Sequence, residues 1–456
     1  MAKGTGSSEC TAYRDGVGDG AGDGADGGTH DGTGDGADMG AQLRLISIKV
    51  TANNNVTKPG RMMKLQTHEI LHCDAGWRNF SFLKLITDDG LVGISEFNES
   101  YGSPGLSAVI AKLAERIEGA DPRAHERLSQ QLYAFTRQAP GGIAQQAIAA
   151  IENALLDLKG KALGVPVYEL LGGPVRDRLR VYWSHCGSYR FANHTPHTGK
   201  WAVERLEDLE KIGREVRERG FKGLKTNMFN FEGEPGMLQP GFTISPGWPE
   251  LNVDDGLIDR IRAQIEMLRK GCGDDVGIHL DLNFNFKTEG YLKVTRALDD
   301  LGLTWFEIDS FDPAALAHIR SSVNTPIASC ESLFGIRGFK PFFEHYSMDV
   351  PIIDVPWNGI WQSMKIASMA EAYEMNVAPH NFYGHLSTMM SAHFCAAVPN
   401  FRVMEIDIDD VPWKDEIVTV TPTIEDGHLV LPTGPGWGTE LNEEAIRAHP
   451  VRGVAR

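Results

Sequence analysis

The 456-residue chain lacks long apolar runs, cysteine motifs and an excess of basic residues. No run of 18 apolar residues occurs, which argues against a membrane-spanning helix. Its six cysteines include no Cys-x-x-Cys pair, so no zinc site is indicated, and such scattered cysteines are typical of a reducing cytoplasm. Lys and Arg number 44 against 61 Asp and Glu, and this charge of −17 argues against nucleic acid or an anionic membrane as the partner.

Glycine is abundant instead, with 50 residues, and many of them lie at the N-terminus. Residues 1–41 combine 13 Gly with seven Asp and one Glu, and they contain almost no apolar side chains. Because such a segment cannot offset its ordering entropy by burial, we predict a disordered tail over residues 1–41. A calcium-binding repeat is the alternative, but the Asp-Gly spacing is irregular. The segment also lacks the apolar core of a secretory signal, so we expect a cytoplasmic protein.

The hydrophobic pattern changes along the remaining chain. Residues 42–100 are rich in short apolar and β-branched runs, which predict strands. Apolar residues recur every three or four positions over 143–158, which predicts a helix. From residue 179 onward, strand-like and helix-like segments alternate, one predicted helix covering 202–219. Repeated strand–helix units predict a parallel sheet, and about seven of them favour a closed barrel.

Polar residues follow many of the predicted strands. In parallel barrels the active site lies at the carboxyl ends of the strands, so these residues are the candidate site. Asp281, Glu307 and Glu331 close three successive predicted strands. Three carboxylates around one point repel each other unless a cation lies between them, and hard oxygen ligands suit Mg²⁺. We therefore predict one Mg²⁺ per subunit at these residues.

A histidine and a lysine add acid–base chemistry to this predicted site. His380 follows one strand and Asp354 ends the strand before it. A carboxylate beside an imidazole fixes its tautomer and raises its pKa, which makes a competent acid or base. Lys225 ends the second strand, where it would neutralise a substrate carboxylate. The alternative for Lys225 is an ion pair with Asp281 or Glu307.

Three segments carry a resemblance to a known family. Residues 153–173 read Asn-Ala-Leu-Leu-Asp-Leu-Lys-Gly-Lys-Ala-Leu-Gly-Val-Pro-Val-Tyr-Glu-Leu-Leu-Gly-Gly and are similar to the junction between capping helix and barrel in the enolase superfamily. Residues 365–373, Lys-Ile-Ala-Ser-Met-Ala-Glu-Ala-Tyr, and the Ala-Pro-His ending at 378–380 are also similar. Over residues 42–450 the sequence resembles the mandelate racemase subgroup and, within it, the acid-sugar dehydratases.

The resemblance implies an α/β fold, a modified TIM barrel of the (β/α)₇β type with an α+β capping domain. On this basis we expect the capping domain over 42–178 and the barrel with its catalytic site over 179–405. A C-terminal segment, 406–456, is expected to return to the capping domain. The resemblance also implies a homo-oligomer, from dimer to octamer, and a small-molecule carboxylate as the substrate.

The resemblance also implies a role for each strand-end residue. The family's metal ligands and its His–Asp dyad match Asp281, Glu307, Glu331, His380 and Asp354. The implied reaction removes the proton α to a carboxylate and forms an enediolate stabilised by Mg²⁺. Glu405 matches a Glu that hydrogen-bonds the developing enolate, and it can donate this bond only if protonated. Lys225 is a further donor to the same negative charge.

Two departures from the family pattern bear on the reaction. Racemases of the subgroup carry Lys-x-Lys on the second strand, whereas this chain has Lys225-Thr226-Asn227 and so lacks the second base. The lactonising branch places a Lys near the sixth strand, and residues 356–358 offer none. With one base left, we predict dehydration of a sugar acid to a 2-keto-3-deoxy acid, a hydro-lyase reaction. The alternatives are a lactone cycloisomerase or epimerase of the same family and a non-catalytic ligand-binding homologue.

Four further residues are candidates for substrate binding. Asn227 and Asn283 would hydrogen-bond a polyol chain, the alternative being packing at the barrel mouth. His380 alone would serve a syn elimination, because one imidazole both takes the α-proton and protonates the leaving hydroxyl. An anti elimination needs a second acid, for which His185 and Tyr383 are candidates.

Overall fold

The computed structural model describes residues 63–100, 102–193, 195–242 and 253–451. The predicted tail over 1–41 lies outside these residues, as does the part of the predicted strand region before residue 63. Among the described residues, no helix combines the length and the apolar composition needed to cross a bilayer.

The first described segment forms an antiparallel sheet followed by helices. The sheet has the order β1-β2-β3, made of β1 Leu65–Ala75, β2 Arg78–Thr87 and β3 Val92–Phe97. The helices are α1 Leu106–Ala114, α2 His125–Thr136, α3 Gly142–Leu163 and the short α4 Val167–Leu170. The predicted helix over 143–158 is therefore confirmed. Helix α3 is buried on nearly every side over residues 145–158, because it lies between the sheet and the barrel.

Eight parallel strands follow, separated by helices. The strands are β4 Arg178–Ser184, β5 Gly223–Thr226, β8 Gly277–Asp281, β9 Trp305–Glu307, β10 Ile327–Ser329, β11 Val350–Asp354, β12 Ala378–His380 and β13 Met404–Asp407. They pair in chain order, and β13 returns to pair with β4. A parallel bridge between Val377 and Phe401, just before β12 and β13, closes the ring, with the Arg402 amide donating to Val377 O at 2.9 Å. The predicted closed barrel is thus confirmed.

The helices between and after these strands complete the barrel unit. They are α5 Thr195–Thr198, α6 Asp208–Glu218, α7 Asp255–Cys272, α8 Thr288–Leu298, α9 Pro313–Arg320, α10 Gly335–Glu344, α11 Val355–Asn358, α12 Ile360–Ala372, α13 His385–Ala397 and α14 Glu443–Ala448. Two small hairpins are added, formed by β6 Phe229–Asn230 with β7 Gly236–Met237, and by β14 Ile424–Glu425 with β15 His428–Val430.

One predicted helix begins later than expected. The pattern over 202–219 predicted a helix from its first residue, but α6 begins only at Asp208. The Asp208 carboxylate accepts hydrogen bonds from the backbone amides of Glu204 and Arg205, both at 3.2 Å. These bonds hold the preceding residues in a turn, which competes with helix formation.

Helix α3 and the strands before it hold the loops at the barrel mouth. The Asn153 side chain accepts a hydrogen bond from the Ile360 amide at 2.9 Å, and Glu152 accepts one from the Trp361 amide at 3.0 Å. Glu96 on β3 accepts bonds from the Gly384 and Ser387 amides at the start of α13. Buried hydrogen bonds from α3 and β3 therefore hold the segments that follow β11 and β12.

The C-terminal residues also contact the N-terminal sheet. The Trp437 indole donates to Ile94 O at 2.8 Å, and the His449 carbonyl accepts a bond from the Asp74 amide. These contacts accord with a C-terminal segment that packs on the capping domain. The boundaries at 178 and 405 stay predictions.

Candidate active site

The register of the barrel strands brings the predicted strand-end residues together. Asp281 lies directly opposite Glu307 across the β8–β9 pair, and Asp354 lies opposite His380 across β11–β12. Because these pairs end neighbouring parallel strands, their side chains share the carboxyl-terminal mouth of the barrel. We call Lys225, Asp281, Glu307, Asp309 and Glu331 the acidic side of the mouth. Asp354, His380 and Tyr383 form the histidine side.

Lys225 is the buried cation of the acidic side. Its Nζ lies 2.8 Å from Glu307 Oε1, 2.8 Å from Glu405 Oε1 and 3.3 Å from Asp281 Oδ2. Burial alone would lower the pKa of Lys225, but the carboxylates around it raise the pKa well above the usual range. The ion-pair alternative for Lys225 is thus what the structure shows. Contact with a substrate carboxylate stays a prediction.

The carboxylates here are crowded and buried. Glu307 is also held by the Trp305 indole, which donates to Oε2 at 3.0 Å. Burial, together with the nearby charges of Asp281, Glu405 and Glu331, raises the pKa of Glu307 to about 8 despite the opposing effect of Lys225. Burial likewise raises the pKa of Glu331. The single positive charge of Lys225 does not balance these carboxylates, so a further cation would be stabilised here.

The donor set of the acidic side fits a hard divalent ion. Asp281, Glu307 and Glu331 offer only carboxylate oxygens, which is the ligand type that Mg²⁺ takes. Across the described ranges, no three His, Cys, Asp or Glu side chains lie at the spacing of a finished ligand set. The oxygens of Asp281 and Glu307 face the Lys225 ammonium, so convergence on one ion requires side-chain rotation.

Asp309 is the fourth carboxylate of the acidic side, and it was not predicted from the sequence. It is buried, and its Oδ1 atom has no hydrogen-bond partner among the described residues. Burial and the charges of Glu331, Asp281 and Glu307 raise its pKa well above the usual range. The signal that could have found it is its position two residues after Glu307, which places both side chains on the same side of an extended segment.

The dyad predicted on the histidine side is formed. His380 Nδ1 lies 2.6 Å from Asp354 Oδ2, and His380 Nε2 lies 3.4 Å from Glu331 Oε2. Asp354 thereby holds Nδ1 and leaves Nε2 directed toward the acidic side. Burial alone would lower the pKa of His380, but Glu331 and Asp354 raise it to about 10. A cation held by Glu331 would lower this pKa and so favour the neutral imidazole, which is the form that can act as a base.

Tyr383 and the backbone complete the pairing of Asp354. The Tyr383 hydroxyl donates to Asp354 Oδ2, and the Trp357 amide donates to Oδ1 at 2.7 Å. Burial and the Asp354 charge keep the pKa of Tyr383 well above its usual range. Since its proton is committed to Asp354, Tyr383 lies in the site as a support of the dyad. This arrangement does not favour the predicted role of Tyr383 as a second acid.

Glu405 contacts both Lys225 and the residue after His380. Burial alone would raise the pKa of Glu405, but Lys225 and His380 hold it well below the usual range. Its carboxylate accepts hydrogen bonds from Ser184 Oγ at 2.5 Å and from the Asn381 amide at 2.7 Å. Direct donation from Glu405 to an enolate stays a prediction. Glu405 positions Lys225 and the residue after His380.

Three of the predicted substrate-binding residues differ in their exposure and in their hydrogen-bond partners. Asn227 is buried, and its Oδ1 accepts a bond from Ser188 Oγ at 2.8 Å, which agrees with the packing alternative. Asn283 is half-buried and contacts Asn227 Nδ2 at 3.4 Å. His185 is also half-buried, with Nδ1 3.2 Å from Asp407 Oδ1. Asn283 and His185 are thus the more accessible pair.

Strained backbone marks three strand ends around this mouth. His185, Asn283 and Cys330 have φ values of 46°, 43° and 91°, in the left-handed region that non-glycine residues rarely adopt. Each follows a barrel strand, and Cys330 directly precedes Glu331. Such conformations persist only where the surroundings enforce them, and they cluster at functional sites.

An aromatic wall next to His380 was also missed from the sequence. The ring centroid of Phe382 lies 5.0 Å from that of His380 and 6.4 Å from that of Trp77. The centroids of Trp77 and Tyr189 are 4.9 Å apart. Trp77 comes from the N-terminal sheet region, whereas Tyr189 and Phe382 follow barrel strands, so distant parts of the described chain build this wall. Long-range packing of this kind leaves no local sequence signal.

Two family descriptions match the chain. Residues 51–172 match the mandelate racemase / muconate lactonizing enzyme N-terminal domain, and residues 207–445 match the enolase C-terminal domain-like family. Among curated relatives, a D-xylonate dehydratase from Haloferax volcanii is 28% identical over 380 residues, covering 81% of this chain and 85% of the relative. A D-galactonate dehydratase from Ralstonia nicotianae is 29% identical over 381 residues, covering 80% and 89%.

A solved structure is more similar still. A Burkholderia xenovorans strain LB400 protein, described as a "putative L-alanine-DL-glutamate epimerase", is 53% identical with a TM-score of 0.83. The match covers 85% of this chain and 96% of that one, whose structure contains magnesium and fumarate. These neighbours confirm the α/β fold of modified-barrel type.

Proposed function

Because the chain belongs to the mandelate racemase / muconate lactonizing enzyme family of the enolase superfamily, we propose that it is a Mg²⁺-dependent dehydratase of a sugar acid. The product would be a 2-keto-3-deoxy acid. The observation that carries the proposal is the single His380–Asp354 dyad facing the acidic side, while position 227 carries an amide that cannot accept a proton. The dehydratase names of relatives at 28% and 29% identity support the reaction class.

His380 is the proposed base and acid. Asp354 holds its Nδ1 proton, so the opposite nitrogen, Nε2, is the atom that takes the proton α to the substrate carboxylate. The same nitrogen can then return a proton to the departing 3-hydroxyl if both groups lie on its face of the substrate. Positioned acid–base residues contribute roughly 10²–10⁴-fold to such steps.

The acidic side would hold the metal ion. Asp281, Glu307 and Glu331 are the proposed ligands, and the Burkholderia structure with magnesium supports this metal. When bound, a divalent ion lowers the energy of negative charge that develops on the substrate carboxylate. Lys225 adds a second positive charge at the same point, and Glu405 keeps its ammonium there.

The proposal also includes the substrate contacts, the assembly and the domain boundaries. Asn283 and His185 would contact the hydroxylated part of the substrate, and Asn227 would support Asn283. We keep a homo-oligomer and the domain boundaries at 178 and 405 as proposals. The substrate is a small-molecule carboxylate.

Epimerisation is the second candidate, because the 53% identical Burkholderia structure carries an epimerase name. A 1,1-proton transfer needs a base on each face of the substrate. On β5, Asn227 cannot serve, and Lys225 is buried among carboxylates that hold it protonated. The geometry therefore favours dehydration over epimerisation.

The test is a panel of aldonic and aldaric acids incubated with the enzyme and Mg²⁺ in D₂O. Dehydration gives a 2-keto acid, whereas epimerisation gives a deuterated epimer that keeps all its hydroxyl groups, and NMR distinguishes the two. The His380→Asn variant should lose both turnover and α-proton exchange, while His385→Asn, which alters the histidine paired with Asp415, should keep both. Full exchange by His380→Asn would contradict the base assignment, and no turnover of any acid would favour the non-catalytic homologue.

A further inference from the structure

A cavity of about 110 Å³ lies at the amino-terminal end of the barrel, opposite to the candidate active site. Its walls come from the first parts of five strands. Arg180 lies in the first half of β4, Lys222 precedes β5, and Thr304 and Arg402 precede β9 and β13. His279, on β8, forms part of its floor. A volume of this size exceeds what one water molecule needs and admits a small polyatomic ion.

The cavity carries uncompensated positive charge. Arg180, Lys222 and Arg402 line it, and its lining includes no Asp or Glu. The acid that acts on Arg402 is Asp349, which is already bound by Arg320 at 2.7 Å.

The floor contains a buried imidazole. His279 is 3% exposed, and its Nδ1 has no hydrogen-bond partner in the described part of the chain. The ring is fixed between Tyr182, at 4.7 Å, and Trp305, at 3.9 Å. In either neutral tautomer, one nitrogen of this ring carries an N–H donor.

Two glycines keep this space open. A Cβ atom at Gly277 would lie 2.4 Å from Thr304 Oγ1, and one at Gly223 would lie 3.2 Å from His279 Nε2. Any side chain at these positions would fill the floor or displace its polar groups. The cavity is therefore built from residues that both leave room and present donors.

We propose that this cavity binds a small multivalent oxyanion of the phosphate or sulfate type. Arg180, Lys222 and Arg402 would supply the charge-assisted hydrogen bonds, with His279 and Thr304 as neutral donors. The bound anion would link the beginnings of β4, β5, β8 and β13 and so stabilise the barrel from the end remote from His380. The proposal does not depend on the reaction assigned to the other end.

Inorganic phosphate is the probe, titrated into the Mg²⁺-free full-length protein at constant pH and ionic strength. We expect saturable binding with one site per chain and a rise in Tm that saturates at the same concentration. The Arg180→Gln/Arg402→Gln double variant should raise the Kd at least tenfold, because two of the three positive charges are lost. Both substituted side chains are exposed at the rim, so the variant is expected to fold. Arg137→Gln, another exposed arginine, is the matched control and should bind as the parent does.

Two further measurements locate the anion and its source. Phosphate should shift the imidazole ¹⁵N resonances of His279, assigned as those missing in His279→Gln, and leave those of His380 in place. If glycerol 3-phosphate binds as tightly as phosphate, the natural ligand is a phosphoryl group of a larger molecule, and weaker binding indicates a free oxyanion. Absence of saturable binding, or an unchanged Kd in the double variant, would overturn the proposal.

Discussion

On the histidine side of the barrel mouth, Asp354 binds His380, Tyr383 and a backbone amide, so that both carboxylate oxygens are paired. On the acidic side, by contrast, Lys225 is shared among several carboxylates, and Asp309 keeps an oxygen without a partner. Because the hydrogen bonds of Asp354 are already formed, the histidine side is preorganised for acid–base chemistry. The acidic side has unmet demand for positive charge, which is the property of a site made for a cation.

The largest effect is expected from disrupting the histidine side. In Asp354→Asn, the new amide would donate a hydrogen bond to His380 Nδ1 and so favour the wrong tautomer. We expect kcat to fall about 10³–10⁴-fold, with Mg²⁺ affinity little changed. Steady-state kinetics and calorimetric Mg²⁺ titration measure the two effects. Tyr383→Phe is the milder control, since it removes one bond to Asp354 and leaves the tautomer intact, and an equal loss in both variants would show that packing dominates.

The next effect concerns the shared cation of the acidic side. Lys225→Met removes the charge that lies among Asp281, Glu307 and Glu405. Leaving buried carboxylates without their partner typically costs about 3–5 kcal/mol. Urea unfolding in the absence of Mg²⁺ should show this loss. The exposed pair of Lys112 with Glu115 provides the control, because Lys112→Met should cost less than about 1 kcal/mol. Equal losses would remove the contrast between a shared buried cation and an ordinary surface pair.

Magnesium itself should stabilise the acidic side. At a concentration of 100 times its Kd, an ion that binds only the folded state adds about 2.7 kcal/mol to the free energy of unfolding. Glu307→Gln should abolish most of this gain, whereas Asp300→Asn, at the exposed pair with Arg262, should keep it. Thermal and urea unfolding with and without Mg²⁺ provide the measurement. A full gain in Glu307→Gln would exclude this residue from the ligand set.

The smallest effect concerns the support of the histidine side by α3. Burial raises the pKa of Glu152 to about 7 from its ordinary value of 4.5. The unfolded chain therefore releases this proton at lower pH than the folded one, and the folded state loses stability as the pH rises from 4.5 to 7. Glu152→Gln does not titrate, so its stability relative to the parent should rise over this range by about 2–3 kcal/mol and then level off.

Urea unfolding of Mg²⁺-free protein between pH 4.5 and 8 checks this sign. The exposed Glu416→Gln provides the control, and its difference from the parent should not vary with pH in the same way. If the difference in unfolding free energy between Glu152→Gln and the parent did not change with pH, this carboxyl group would have the same pKa in the folded and unfolded states.

Much of the candidate site could be predicted from the sequence, because strand-end positions in a parallel barrel share one mouth. Asp281, Glu307, Asp354 and His380 each lie at the end of a strand, and the register places them side by side. The pairing of Glu405 with Lys225 could not be predicted, because Lys225 is 180 positions earlier in the chain. Asp309 and the Trp77–Phe382 wall were missed for the same reason, since burial and long-range packing define them.

The sequence by itself determined the fold class, the barrel's strand–helix order and the residue types at the mouth, because hydrophobic periodicity and strand-end polarity are local properties. Tertiary structure alone decided how charge is distributed among those residues. Which carboxylates share Lys225, which hydroxyl supports Asp354, and which end of the barrel gathers arginines depend on distances between strands far apart in the chain. Electrostatic energies follow those distances and the burial that folding creates.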